Sequence, residues 1–369
     1  MADPRVEKLA DVLVNYSVAV QPGDKVMIQG QTITSPLLKA VYAKVLQAGG
    51  HPLMRPSIPG TRELFFRYAS DEQLQHVPEP VKLIIETYDV AIRIEGKENT
   101  KALSNVDPAK MVLCSRAQAG LMKTYMERTA AGEFRWVIAL FPTNAHAQDA
   151  EVSLSEYEDF VYGACMPDSD DPVGYWRRFS AWQQQIVDWL KGKERVHVVG
   201  PETDLRLSIA GRTFINCDGK YNMPDGEVCT SPVEDSAEGH VYFSYPAIYQ
   251  GREVAGVRLW FEGGKVVKAS ADKNEDFLLQ ALDTDEGARY LGEFAIGTNK
   301  GITEFTRQTL FDEKINNSFH LALGSGLAET GGKNESAIHW DMICDMRTGG
   351  EIWVDDELLY KDGDFVIEF

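Results

Sequence analysis

The 369-residue sequence lacks the marks of several protein classes. It has no apolar run of about 18 residues, so no membrane-spanning helix is expected. Only five cysteines occur, Cys114, Cys165, Cys217, Cys229 and Cys344, and none form a CxxC pair. Neither a zinc ribbon nor a dithiol redox motif is therefore supported. Basic residues are few: 37 Lys and Arg stand against 56 Asp and Glu, a net charge of −19. Such a chain repels phosphate backbones, which argues against a nucleic-acid partner. There is no GxSxG elbow, so an α/β-hydrolase serine mechanism is unsupported, and no HExxH, so the zincin class is excluded. The stretch Ile28-Gln29-Gly30-Gln31-Thr32 lacks the GxGxxG spacing of a dinucleotide site. Residues 326–333, GLAETGGK, have the wrong spacing for a phosphate loop, and Asn334 stands where Ser or Thr is required.

What remains is an ordinary globular composition, 44% hydrophobic and 25% charged. The length suggests two domains. Scattered thiols fit a reducing compartment, and the opening MADPRVEKLADVLVNYSV has no apolar signal-peptide core, so a cytoplasmic protein is expected. Apolar spacing predicts helices over 5–17, 36–48, 107–129, 153–163 and 174–191. Short apolar runs predict strands at Lys25–Ile28, 51–56, Val81–Ile85, Val90–Ile94 and Arg135–Leu140. The acidic, proline-bearing Met166–Val173 reads as loop. Beyond residue 195 short strands and Gly turns dominate, with strands expected at 195–199, 205–209, 213–217, 227–231, 239–243, 254–261 and 264–269. The expected architecture is an α/β N-terminal domain with a mostly parallel sheet over 1–194. A β-rich α+β domain is expected over 195–369.

Two of the last three of seven histidines stand among carboxylates in strand-like segments. In Ala337-Ile338-His339-Trp340-Asp341-Met342-Ile343, alternation puts His339 and Asp341 on one face, with Ile338, Trp340 and Met342 on the other. In Phe319-His320-Leu321-Ala322-Leu323-Gly324, His320 shares a face with Ala322 and Gly324, which leave room for an ion or a substrate. Glu227 opens a strand after Pro224-Asp225-Gly226. Glu293 lies inside the apolar Leu291–Ala295, where a carboxylate is costly without a partner. Each residue alone reads as readily as a surface pair, a core histidine or a salt-bridge partner. Together, Glu227, Glu293, His320, His339 and Asp341 form a candidate metal-ligand set. Three carboxylates, two divalent ions and one hydroxide would balance in charge. Mixed N and O donors suit Zn, Co or Mn.

The segments Asn222–Val228, Leu291-Gly292-Glu293, Leu310–Lys314, His320–Gly324 and Ser336–Met342 occur in the order found in the M29 family of metallo-aminopeptidases, which the chain resembles. The resemblance implies two metal ions held by Glu227, Glu293, His320, His339 and Asp341, and a homodimer that encloses the site. It also implies short peptide substrates with a free N-terminal amine. A hydroxide bridging the metals would attack the scissile carbonyl. Glu293 is a candidate general base if it is a terminal ligand, and Glu335 a weaker one. One departure stands out: the family's tyrosine seven residues after the first ligand histidine is here Leu327. A leucine cannot donate a hydrogen bond to an oxyanion. The competing reading is therefore a metal-loaded binding or scaffold protein that has kept the fold and lost turnover.

Overall fold

The structure is a computed structural model that describes residues 3–166 and 170–368. Residues 167–169 of the expected acidic loop lie outside the described residues. The chain divides into two compact units, one of residues 1–176 and 219–224, the other of residues 177–218 and 225–369.

The first unit carries a five-stranded parallel sheet. Its strands lie in the order His51–Ser57, Lys25–Gln31, Val90–Glu95, Arg135–Leu140, Asn222–Met223. Helices alternate with these strands along the chain, as parallel crossovers require. Residues 107–129 form two helices, Pro108–Ala117 and Ala119–Ala130.

One expectation fails. Val81–Ile85 is not a strand but lies within the helix Glu79–Thr87. Pro78 precedes this helix and Pro80 stands in its first turn, where proline's fixed φ and missing N–H suit helix initiation. Only Ile84 of the helix is buried, so the apolar run is not a core strand.

The second unit is a sandwich of two antiparallel sheets with an accessory ribbon. The larger has eight strands, with Glu238–Phe243, Thr203–Ser208, Arg195–Gly200 and Glu351–Val354 adjacent near its middle. The smaller has five, in the order His339–Asp345, Ser318–Gly324, Leu291–Gly297, Glu227–Thr230, Ile215–Cys217. Alternate residues of the smaller sheet, Val228, Phe294, Ile296, Phe319, Leu321, Leu323, Trp340 and Met342, join Val196, Val198, Leu205, Leu207, Val241 and Leu259 of the larger in one core. Face-to-face packing of this kind consumes one side of each sheet and leaves the other for different work.

Trp340 anchors the shared core. It is 1% exposed and stacks on Tyr249 with ring centroids 5.1 Å apart. Phe277 of the helix Glu275–Leu282 lies 6.1 Å away. Trp340→Ala is expected to lower unfolding free energy by about 3–5 kcal/mol in urea titration. A loss below about 1 kcal/mol would mean that this face is not the centre of the core.

Candidate metal centre

The face of the smaller sheet opposite the core gathers all five candidate residues. Cross-strand partners in a sheet share a face, as do residues two apart along one strand. Glu293 pairs with Ala322, which pairs with Asp341. Cys229 pairs with Ala295, which pairs with His320. Glu227 pairs with Gly297, and Gly324 with His339. The ligand types therefore alternate with Ala295, Gly297, Ala322 and Gly324, whose small size leaves space between them.

Two glycines are structurally required. Gly226, with φ +129°, presses against Asn299 and turns the chain into the Glu227 strand. Gly324, with φ +99°, ends its strand so close to the Ile338 carbonyl that a Cβ would collide with it.

Glu293 lies at the centre. One carboxylate oxygen is 3.6 Å from His320 Nε2, the other 3.2 Å from His339 Nε2. His320 Nε2 is also 3.6 Å from Glu227 Oε2, and His339 Nε2 is 3.4 Å from Asp341 Oδ1. Two cation-sized groups result, Glu227–Glu293–His320 and Glu293–His339–Asp341, with donor atoms in each within 4.8 Å of one another. The two groups share Glu293.

The side chains are aimed as a metal would require. His339 Nδ1 contacts the Ser325 carbonyl at 2.9 Å, which orients the ring and frees Nε2. Glu227 Oε2 is buried with no hydrogen-bond partner. An ionised oxygen left so is strongly disfavoured unless a cation meets it. The five residues thus fit a pair of divalent ions.

The proton equilibria carry the same tension. Burial pushes the Glu227 carboxyl up to about 8, with Lys314 partly opposing. Burial would also raise Glu293, but His320 and His339 outweigh it and hold that carboxyl well below its usual range. Burial acts to lower both histidines. Contact with Glu293 and the neighbouring carboxylates nevertheless raises His320 to about 9, and Asp341 with Glu293 raises His339 to about 12.

Two further groups stand at the site that individual motifs did not single out as functional. Lys314 is fully buried, forms an ion pair with Glu313 and reaches within 3.8 Å of Glu227 Oε1. Burial raises the Glu313 carboxyl, with Lys314 opposing and Asp341 adding to the rise. Buried Asp312 accepts hydrogen bonds from the Thr306 backbone N–H at 2.7 Å and hydroxyl at 3.0 Å, which fixes the turn carrying the pair. The sequence signal was the motif Leu310–Lys314 itself, which carries two acids and a lysine beside an apolar pair. Glu335, by contrast, is exposed. Leu327 has its backbone N–H bonded to Ser231 Oγ at 2.8 Å, and its carbonyl accepts the Thr330 hydroxyl at 2.8 Å.

Carboxylates and imidazoles that converge in this way, in two groups joined by one shared side chain, define a metal-dependent protein. The family can also be stated: the thermophilic metalloprotease (M29) family model matches residues 2–365, and the chain belongs to that family. Aminopeptidase 2 of Geobacillus stearothermophilus is 26% identical, the match covering 92% of each chain. Aminopeptidase T of Thermus thermophilus is 27% identical over 97% of this chain and 95% of its own. The enzyme class of these relatives, metallo-aminopeptidase, is the one the sequence led us to expect, and nothing in the comparisons favours a scaffold over it. In fold, the chain resembles wild-type AmpT from Thermus thermophilus, with a TM-score of 0.86, 24% identity and 99% coverage of both chains. It also resembles a 2,5-dihydroxypyridine dioxygenase from Pseudomonas putida KT2440, with a TM-score of 0.60, 13% identity, and coverage of 98% of this chain and 96% of that one. Among the described residues no helix is long and apolar enough to cross a membrane.

The shifted groups set a pH dependence for chelator-treated protein. His320 is raised from 6.5 to about 9, so its stabilising contribution is full below pH 6.5 and is lost as pH rises through 9. Glu227, raised from 4.5 to about 8, also favours the folded state less as pH rises from 4.5 to 8. Both act in the same direction. From these two groups together, metal-free protein should lose on the order of 6 kcal/mol of unfolding free energy between pH 6 and 9. Zinc or manganese should raise the melting temperature more at pH 8 than at pH 6, because cations replace protons at the same atoms. A metal-free protein more stable at pH 9 than at pH 6 would contradict this account.

Proposed function

We propose that the chain is a dinuclear metallo-aminopeptidase that removes the N-terminal residue of short peptides. The observation that carries this reading is the pair of ligand groups sharing Glu293. Glu227 and His320 would hold one ion, His339 and Asp341 the other, and Glu293 would bridge them. Zn, Co or Mn suits the mixed donors. When bound, two such ions supply a water of lowered pKa and polarise the scissile carbonyl.

The remaining chemistry belongs to side chains. Both oxygens of Glu293 face histidines, which favours a bridging ligand over the general base that a terminal position would have allowed. Glu313 is the better base: burial raises its carboxyl above the usual range, with Asp341 adding to the rise, so it can take a proton more readily than an ordinary carboxylate and return it to the leaving amine. Lys314 offsets the charge of Glu313, so the extra pair leaves the balance of three carboxylates against two divalent ions unchanged. The free α-ammonium of a peptide is matched by this carboxylate-rich face, which would enforce exopeptidase action. A homodimer fits the large apolar side chains exposed on the first unit, among them Leu64, Phe65, Met122 and Met126. Five free thiols suit a cytoplasmic setting.

Hydrolysis of aminoacyl-nitroanilides by chelator-stripped protein reloaded with Zn, Co or Mn tests the reading. Metal-dependent release should vanish in a His339→Ala, Asp341→Ala double variant. Two bound ions with no release from any aminoacyl or dipeptide substrate would overturn it. Glu313→Gln is expected to lower kcat by about 10²–10⁴ while metal content and KM hold. An unchanged kcat would remove Glu313 as the base. Leu327→Tyr is expected to raise kcat by about tenfold or more if the oxyanion lacks a donor in this chain. No rise would mean that the existing residues already provide that stabilisation.

A further inference from the structure

We infer that Cys217, Cys229 and Glu227 form a third cation site, selective for a thiophilic divalent ion such as zinc or cadmium. It lies at the edge of the ligand-bearing sheet. It draws on the proposed dinuclear reading only through the shared Glu227.

The register creates the cluster. The strand Ile215–Cys217 runs antiparallel to Glu227–Thr230, with Cys217 paired to Glu227 and Ile215 to Cys229. Cys217 and Glu227 therefore share a face, and Cys229, two residues on from Glu227, shares it too. A carboxylate oxygen of Glu227 and both sulfurs lie within 4.8 Å of one another.

The sulfur separation discriminates between uses of a thiol pair. The two Sγ atoms are 3.6 Å apart. A disulfide needs about 2.05 Å, so the pair as placed is not bonded. Two Zn–S bonds of about 2.3 Å at the tetrahedral angle place their sulfurs about 3.8 Å apart. The pair already stands near the second spacing. Two sulfurs and one oxygen make three ligands, leaving a fourth position for water.

The backbone beneath the ligands is fixed. Gln183, fully buried, donates its side-chain amide to the Glu227 carbonyl at 2.9 Å and the Cys217 carbonyl at 3.1 Å. Its own carbonyl accepts the Thr298 hydroxyl at 2.6 Å. One amide thus ties both strands at the height of the ligands. Cys229 is buried while Cys217 is partly exposed, which gives an ion a way in.

Binding releases two protons: each thiol loses one as its sulfur bonds the cation, and no electron is transferred. Sulfur donors reject manganese and magnesium in favour of zinc or cadmium. Because Glu227 also faces His320, an ion held by the thiols would draw this carboxylate out of the neighbouring group. Excess thiophilic metal would then inhibit by withdrawing Glu227 from the proposed dinuclear group.

Cadmium added to reduced, manganese-loaded protein tests the inference through the ultraviolet absorption of sulfur-to-cadmium charge transfer. The nitrogen and oxygen ligands of the neighbouring groups cannot produce this band. The band should saturate near one equivalent. It should fall about tenfold or more in both Cys217→Ser and Cys229→Ser, and persist in Cys344→Ser, which removes a buried thiol of another strand face. Cys217 is partly exposed, so its serine variant should keep the wild-type melting temperature, and the loss of the band can then be read on folded protein. Absence of the band in the wild type overturns the inference. So does a full band in Cys217→Ser, which would make Cys229 a lone ligand. The band should also survive in the His339→Ala, Asp341→Ala variant, where the dinuclear reading is disabled. That outcome separates failure of one site from failure of the other.

Discussion

Everything at the site depends on one electrostatic constraint. Glu227, Glu293 and Asp341 bring three carboxylates to one sheet face, two of them nearly inaccessible to water. Like charges this close repel strongly at low dielectric, so the face is formed with positive charge among them or with a proton held on Glu227. His320 and His339 are the protein's own positive groups at that face, and Lys314 approaches Glu227 with its charge largely offset by Glu313. Divalent ions would do the same work with more charge at fewer atoms. The rest of the unit supports this convergence. The apolar face locks the strands, Ala and Gly keep the opposite face open, and Gly226 and Gly324 turn the chain where side chains would collide.

The two faces explain why much of the site was legible in the sequence. His339 and Asp341 flank Trp340, and in a strand that spacing alone separates ligands from core. His320 with Ala322 and Gly324 follows the same rule, and the sheet places them as alternation requires. The strands and helices around them were legible for the same reason, because burial on one side imposes a period. Val81–Ile85 was misread because a short apolar run has no period to measure, and the decisive signal was the pair of prolines before it.

Other features were not legible because they depend on contacts across the chain. Nothing in the spacing of Cys217 and Cys229 indicates that their sulfurs touch; only the antiparallel register of two strands brings them together. Likewise, Glu313 and Lys314 look like a solvated charge pair until the turn anchored by Asp312 carries them beside Glu227. The central position of Glu293, with one oxygen toward each histidine, is a matter of side-chain geometry. That geometry favours the proposed bridging role over that of base, a choice the sequence left open.

Lys314 sharpens the relation between protons and metal. A lysine beside a metal ligand would ordinarily compete with the metal for its carboxylate. Here its charge is taken up by Glu313, which shares the same turn and lies in direct contact with it. The pair is therefore neutral toward the ions as long as both members are charged. If Glu313 took a proton from the attacking water, the negative charge would pass from Glu313 to the nucleophile, the site's net charge would stay the same, and Lys314 would lose its nearest counterion. The ammonium so freed lies 3.8 Å from Glu227 Oε1. A buried ammonium without its counterion would favour negative charge developing near it, and only in the protonated state of Glu313.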